Sequence, residues 1–450
     1  MKKKLVISLI LLVVILAGCF FAISRSSSIP EGSNEEKVIA IMESNQCMQC
    51  HEDGVEPPFY GDIPVVGTIV KDDMVKGYLQ SDLKSFVEAI KSPAPVNEAM
   101  LAKLENAMAK QTMPPLKYSA IHWSSTITDA EREVILTWVS EERSRYGVSD
   151  VAAEFANEPV RPIDLVIPTD SQKVALGIAL FNDKRLSDDG TVSCATCHVL
   201  TKGGTDNLRY AEGVRKQFGD VNAPTVFNSV YNHLQFWDGR AETLAKQAAG
   251  PPENPIEMGT QTWAQICDRF KEDKKFVETF TNVYPSGVTV ENITDAIAEY
   301  EKTLITPNCR FDKYLRGSMT AMTAEEIEGY NLAKQNECFT CHVGTNMGGQ
   351  SFEVIGLYGD YLNDRGNIIK ADNGRFNHTA NVYDMHRFKT PTLRNITLTA
   401  PYMHDGTITS LDEAVRIMGK YQVKNGLTDD AVNKITKYLG ALTGELNGQQ

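Results

Sequence analysis

The sequence predicts an all-α protein: three small helical domains in tandem after an N-terminal anchor segment. Two observations carry that expectation. An amphipathic helix pattern closes each third of the chain, and one short cysteine–histidine motif returns once in each third. Strand-like alternation is scarce. Composition agrees, since 450 residues at 42% hydrophobic and 23% charged describe a globular chain long enough for about three domains. Net charge is −13, and residues 1–30 hold only positive charges (Lys2, Lys3, Lys4, Arg25), which leaves −17 on the remainder. A surface that acidic argues against nucleic acid as a partner and suits basic proteins or small neutral molecules.

The elements follow in order. Lys2-Lys3-Lys4 precede an apolar run from Leu5 to Ile23, the pattern of an export signal or membrane anchor over residues 1–24. Two fates are open. Leu16-Ala17-Gly18-Cys19 resembles a lipoprotein cleavage box, with Cys19 lipidated; alternatively the run stays uncleaved and spans the bilayer. Either attaches the chain to a membrane and places residues 31–450 on its periplasmic face. Residues 25–34 are mostly small and polar and read as a tether. The three domains are expected over 35–150, 165–310 and 311–450. Their closing helices are Thr128 to Arg145 with Trp138, Glu291 to Leu304 with Tyr300, and Thr428 to Leu442 with Tyr438. Thr128 and Glu131 have capping-box spacing.

The repeated motif is Cys-x-x-Cys-His: Cys47, Cys50, His51; Cys194, Cys197, His198; Cys338, Cys341, His342. Three copies are far more than nine cysteines and eight histidines give by chance. Two thiols at this spacing add to the two vinyl groups of one haem, and the adjacent histidine ligates its iron. A redox dithiol or half a zinc site has no need of that histidine. Three covalently bound haem c groups are therefore expected, one in each of three cytochrome c-like domains.

Function then turns on the sixth ligand of each iron. In the first domain Met113, in Thr112-Met113-Pro114-Pro115, competes with His122, while Met108 reads as core. In the third domain Met385, Met403, Met418, His378, His386 and His404 compete, and the sequence does not separate Met418, ending a helical run from Ser410, from Met403. In the second domain no His or Met occurs between Val199 and Asn232; His233 and Met258 are the nearest. That iron is expected to be open. Glu253, Glu257 and Gln247 are candidates for acid–base work beside it, since peroxide cleavage needs a carboxylate to move a proton between two oxygens.

Residues from about 172 to 440 resemble the bacterial dihaem cytochrome c peroxidases. The resemblance rests on Leu180-Phe181, Arg185-Leu186-Ser187, Ser193 to His198, Asn222-Ala223-Pro224-Thr225, Phe236 to Arg240, Asn254 to Gly259, Thr306-Pro307-Asn308, and Phe388 to Gly406. The preceding domain, with Met113-Pro114-Pro115 and His122, resembles the extra haem domain of the trihaem, membrane-anchored, quinol peroxidase-like subgroup. The resemblance implies roles. The haem on Cys194, Cys197 and His198 becomes peroxidatic, with Glu257 as acid–base catalyst and Gln247 its distal neighbour. The haem on Cys338, Cys341 and His342 becomes the electron-transfer haem, with Met418 as axial ligand. Trp237 falls between the two haems, and His404 falls near the second. A calcium ion is implied on the Asn222 side chain and the Thr399 and Pro401 carbonyls. His378 and His386 match no ligand and read as surface groups. The family often forms homodimers.

One departure matters. Many members carry a histidine in the loop after the peroxidatic motif, where it blocks the resting iron. The aligned residues here are Gly213-Val214-Arg215-Lys216-Gln217, and valine cannot ligate iron. The resemblance with this change implies a peroxidatic haem that is open at rest. Cys267 and Cys309 remain, as a disulfide or as two buried thiols. The expected function is reduction of hydrogen peroxide to water, with electrons from a quinol or a c-type cytochrome. The rivals are a non-enzymatic multihaem electron carrier and a tryptophan-oxidising maturation enzyme of the same superfamily. Met418 argues against the second, which carries tyrosine as ligand.

Overall fold

The computed structural model describes residues 10–18, 29–119, 122, 125–145 and 150–448. It is mostly helical, as expected, and divides into two compact units, Met1–Val148 and Ser149–Gln450.

The N-terminal expectation requires correction. The helix described there covers residues 10–18. Among the described residues no helix is long and apolar enough to cross a membrane. The membrane-spanning anchor over 1–24, and the attachment to a membrane face built on it, are thus overturned. Cys19 lies outside the described residues.

In the first unit, α1 (Asn34–Ser44) starts at a Ser33–Glu36 capping box. The single turn α2 (Met48–His51) carries the first motif and packs against α3 (Val66–Gln80). Their approach requires Gly77, since a Cβ there would lie 2.5 Å from the Cys50 carbonyl oxygen. Helices α4 (Leu83–Ile90), α5 (Glu98–Ala109) and α6 (Asp129–Ser144) complete the unit. Thr128 caps α6 in the expected capping box with Glu131. Val38, Ile41, Phe86, Leu101, Ile135 and Trp138 form the core, and the Trp138 ring meets Phe86 edge-on at 5.9 Å.

The second unit uses one device twice. Helix α7 (Ser171–Phe181) packs on α10 (Val290–Glu301), and α11 (Ala324–Gln335) packs on α13 (Asp429–Gly440). A Cβ at Gly177 would lie 2.0 Å from the Ala296 carbonyl oxygen and 2.7 Å from the Tyr300 Cβ. A Cβ at Gly329 would lie 2.0 Å from the Lys434 carbonyl oxygen and 2.9 Å from the Tyr438 Cβ. Each pair is thus closed by glycine against a tyrosine-bearing helix, and each brackets one motif. Two separate hydrophobic cores result, one around Leu180, Phe270 and Ile297, the other around Phe311, Tyr330 and Tyr438. Phe155 and Val160, although early in the chain, belong to the second. Two three-residue strands, β1 (Phe352–Val354) and β2 (Arg387–Lys389), pair antiparallel. Helix α12 (Leu411–Gln422) runs one turn beyond Met418, so that residue does not end it.

Candidate functional site

Each motif forms a helical turn: Met48–His51 after Cys47, α8 (Cys194–Cys197), and a 3₁₀ turn at Cys338–Thr340. In all three, the histidine Nδ1 meets a backbone carbonyl: His51 on Ser81 (3.0 Å), His198 on Gly204 (3.2 Å) and His342 on Met347 (3.4 Å). A carbonyl only accepts, so Nδ1 donates and Nε2 keeps its lone pair for a metal. Burial lowers the pKa of all three rings and keeps them neutral, the form that ligates. The six motif thiols form no disulfide. Burial pushes Cys47 and Cys197 up to about 12 and Cys338 up to about 11. A working redox dithiol shifts the other way. The residues therefore fit covalently held haem at each motif.

In the segments facing the second motif's expected open position, the residue of interest is a carboxylate. Glu257 lies in the turn after Asn254, whose Nδ2 donates to Glu257 Oε1 at 2.7 Å. The side chain is half-exposed yet crowded by protein. That desolvation raises its pKa against the opposing pull of Arg240 and Asn254. The Val214 N–H donates to the Glu257 carbonyl at 3.0 Å, and the Val214 side chain is fully buried in the core. Gly213 permits this contact: a Cβ there would lie 2.0 Å from the Ile256 carbonyl oxygen. Met258 is buried in the core, while His233 and Lys216 are exposed. Gln247 is half-buried on α9 (Leu244–Ala248), which packs on α10. Glu253 is exposed, and its Oε1 accepts from the Trp263 N–H.

Trp237 Nε1 donates to the Asn222 carbonyl (2.8 Å), its carbonyl accepts from the Lys389 N–H (2.8 Å), and its ring meets Phe388 edge-on at 6.5 Å. Phe388 in turn stacks on His404 at 4.1 Å. His404 is buried and gives its Nε2 to Asp372 Oδ1 at 2.7 Å, and Asp372 also pairs with Arg365. Nothing in the sequence marked Asp372. His378 is exposed, as expected. His386 is not a plain surface group: it is half-buried, with Nδ1 on the Asp372 carbonyl at 2.8 Å.

Asn222 is buried and donates Nδ2 to the Leu208 carbonyl (2.8 Å), which leaves Oδ1 for another partner. Asn207 takes up the Leu398 and Ala400 carbonyls at 2.8 and 3.0 Å. Between and beyond these, no described hydrogen bond reaches the Thr399 or Pro401 carbonyls. An all-oxygen set of this kind suits a hard cation.

In the first unit His122 is taken up on both ring nitrogens, by the Tyr60 hydroxyl (2.6 Å) and the Tyr118 carbonyl (3.2 Å), and it stacks on Tyr118 at 4.0 Å. Met113 is half-buried and packs, with Cys47, on the core of this unit. Met418 is likewise half-buried, on α12. Met347 escaped the sequence reasoning, but it is core: its sulfur accepts from the Tyr438 hydroxyl at 3.9 Å. Cys267 and Cys309 are buried free thiols in different cores.

Comparison with known proteins agrees with this geometry. Residues 171–320 match the model of the di-haem cytochrome c peroxidase family, and residues 22–141 match that of a haem-binding domain. Cytochrome c peroxidase Ccp of Escherichia coli is 47% identical over 413 residues, covering 92% of this chain and 88% of that one. Cytochrome c551 peroxidase of Nitrosomonas europaea is 44% identical over 292 residues, 64% of this chain and 85% of that one. The methylamine utilization protein MauG of Methylorubrum extorquens is 33% identical, covering 60% and 74%. Among solved structures, a MauG-like protein associated with microbial copper homeostasis superposes with a TM-score of 0.57 at 28% identity, covering 65% of this chain and 95% of that one.

Proposed function

The chain belongs to the di-haem cytochrome c peroxidase family, and from that premise we propose how its residues divide the work of reducing hydrogen peroxide. It is a haem peroxidase. The finer reading is one haem c at each motif, three in all, held by Cys47, Cys50 and His51, by Cys194, Cys197 and His198, and by Cys338, Cys341 and His342. Bound haem supplies iron that carries single electrons and, where a coordination position is open, takes up peroxide.

The chain's own residues do the rest. Peroxide needs two protons and two electrons to become two waters. Glu257 Oε2 is the proton-transfer atom, since Asn254 holds Oε1. A raised pKa suits it to both accept and return a proton. Gln247 lines the same side as a polar neighbour. Trp237, bonded to Asn222 and Lys389, is the proposed bridge between the peroxidatic and electron-transfer haems. Met113 and Met418 would help hold the first and third haems through their thioether sulfurs, which would raise the potentials of those haems. The Asn222 side chain with the Thr399 and Pro401 carbonyls is the proposed calcium site. Electrons enter from a c-type cytochrome, with a quinol as the alternative donor; the acidic charge of −13 favours a basic cytochrome.

The observation that carries the reading is the pairing of Glu257 with Val214, whose side chain is buried in the core at the place where the resemblance implies a histidine. The test is an EPR and electronic spectrum of the oxidised holoprotein, followed by one equivalent of peroxide. One high-spin and two low-spin haems, with the high-spin signal lost on addition, support it. Three low-spin haems with no response overturn it.

A further inference from the structure

Glu301 is used by none of these roles. It ends α10, is 5% exposed, and its Oε2 is buried with no hydrogen-bond partner in the described structure. A charged carboxylate is not left in such a place without compensation. No cation on the packed elements serves it. On α7 Lys173 is bound to Asp295, on α9 Lys246 is bound to Glu242, and just past the end of α10 Lys302 is bound to Glu299. The titratable groups that sense its charge are Cys194 and Tyr300. Burial alone pushes Glu301 up to about 8. A buried carboxyl whose charge reaches the first thiol of the second motif thus has one oxygen with no hydrogen-bond partner among the described residues, and it can be held with or without its proton.

We propose that Glu301 is a redox-linked proton site for the haem carried by Cys194 and Cys197. The haem gains one electron from the donor, and Glu301 binds one proton from solvent; on oxidation the electron leaves and the carboxyl releases that proton. Charge in the apolar interior near Cys194 then stays constant, which matters where dielectric screening is weak. Glu301 is a positioning group for charge, distinct from Glu257, which acts on peroxide. The proposal rests on the peroxidatic reading of the second motif only for naming which haem is concerned.

The experiment is spectroelectrochemical titration of the full holoprotein from about pH 6 to about pH 9, a range that brackets a raised carboxyl. It compares wild type with Glu301→Gln and Glu301→Asp, each checked for full haem content. In wild type one haem couple falls in potential as pH rises, and the other two do not share the same dependence. Glu301→Gln abolishes that slope in that couple alone, and Glu301→Asp restores part of it. Reduced-minus-oxidised infrared spectra show the carbonyl stretch of a protonated carboxyl, absent in Glu301→Gln. An unchanged slope in Glu301→Gln, or no slope in wild type, overturns the proposal. Cyanide binding, followed in parallel, tests the open iron separately: if no haem binds cyanide the peroxidatic reading fails, whatever the slopes show.

Discussion

The Val214 N–H donates to the carbonyl of Glu257 at 3.0 Å. This bond ties the loop that holds Val214 to the residue proposed to handle the peroxide proton. Val214 is fully buried, so its side chain is committed to the core. The nearest basic side chains of the loop, Arg215 and Lys216, are exposed. The oxidised holoenzyme is therefore expected to consume peroxide without prior reduction. Stopped-flow mixing of as-purified protein with peroxide checks this; a lag removed only by pre-reduction would contradict it.

Glu257 has a raised pKa because burial opposes its charge. Accepting the first peroxide proton needs the carboxylate, so turnover should fall as pH drops through that raised value. Glu257→Gln should lower turnover by ~10²–10⁴-fold at unchanged haem content. Asn254→Ala removes a hydrogen bond to the charged form. It should move the acid limb of the pH profile to higher pH, while a purely structural role would lower turnover without moving that limb.

Much of this was legible in the sequence because the motif chemistry is local. Two thiols and a histidine on one turn announce themselves, and so do Thr128 and Glu131 at the head of α6. What was hidden is long-range. Asp372, with Arg365 on both oxygens and His404 on one of them, sits in no pattern of its own and acquires its role only when distant segments meet. Glu301 reads as the polar end of an amphipathic helix until packing buries it. The apolar run at the N-terminus misled differently: hydropathy counts residues, whereas spanning needs a long apolar helix, and among the described residues none is long and apolar enough.

Met113 and His122 were rivals for the first iron. Both His122 nitrogens are engaged by Tyr60 and Tyr118, whereas among the described residues no hydrogen bond to the Met113 thioether is seen. Met113→Ala should convert the first haem to a high-spin form and lower its potential. His122→Ala should leave the low-spin spectrum in place. Optical and EPR spectra of the two variants decide it, and the opposite pattern would exchange the assignments.

Asp372 is buried, and burial raises its pKa, but Arg365, the Ile369 N–H and His404 together hold it down to about 2. A depressed carboxyl contributes stability above its unfolded pKa, near 3.8, and loses it as pH falls toward about 2. The contribution is roughly 2 kcal/mol. Asp372→Asn should therefore destabilise the holoprotein at neutral pH and flatten the stability curve in that acid window. Urea unfolding at several acidic pH values measures it; identical slopes in variant and wild type would refute it.

Arg394 and Asp312 form an ion pair at 2.7 Å in which both side chains are fully buried. Arg394 also donates to the Arg161 carbonyl at 2.7 Å and to the Cys309 sulfur at 3.1 Å, so one guanidinium joins three segments of the second core. Breaking a buried pair leaves one charge without compensation, at a cost of about 3–5 kcal/mol. Asp312→Ala, which strands Arg394, should be the most damaging change. The double change Arg394→Met with Asp312→Leu removes both charges and should recover a large part of the loss. Urea denaturation of wild type, Asp312→Leu, Arg394→Met and the double closes the cycle. Additive losses would show that the pair contributes through packing rather than through its charge.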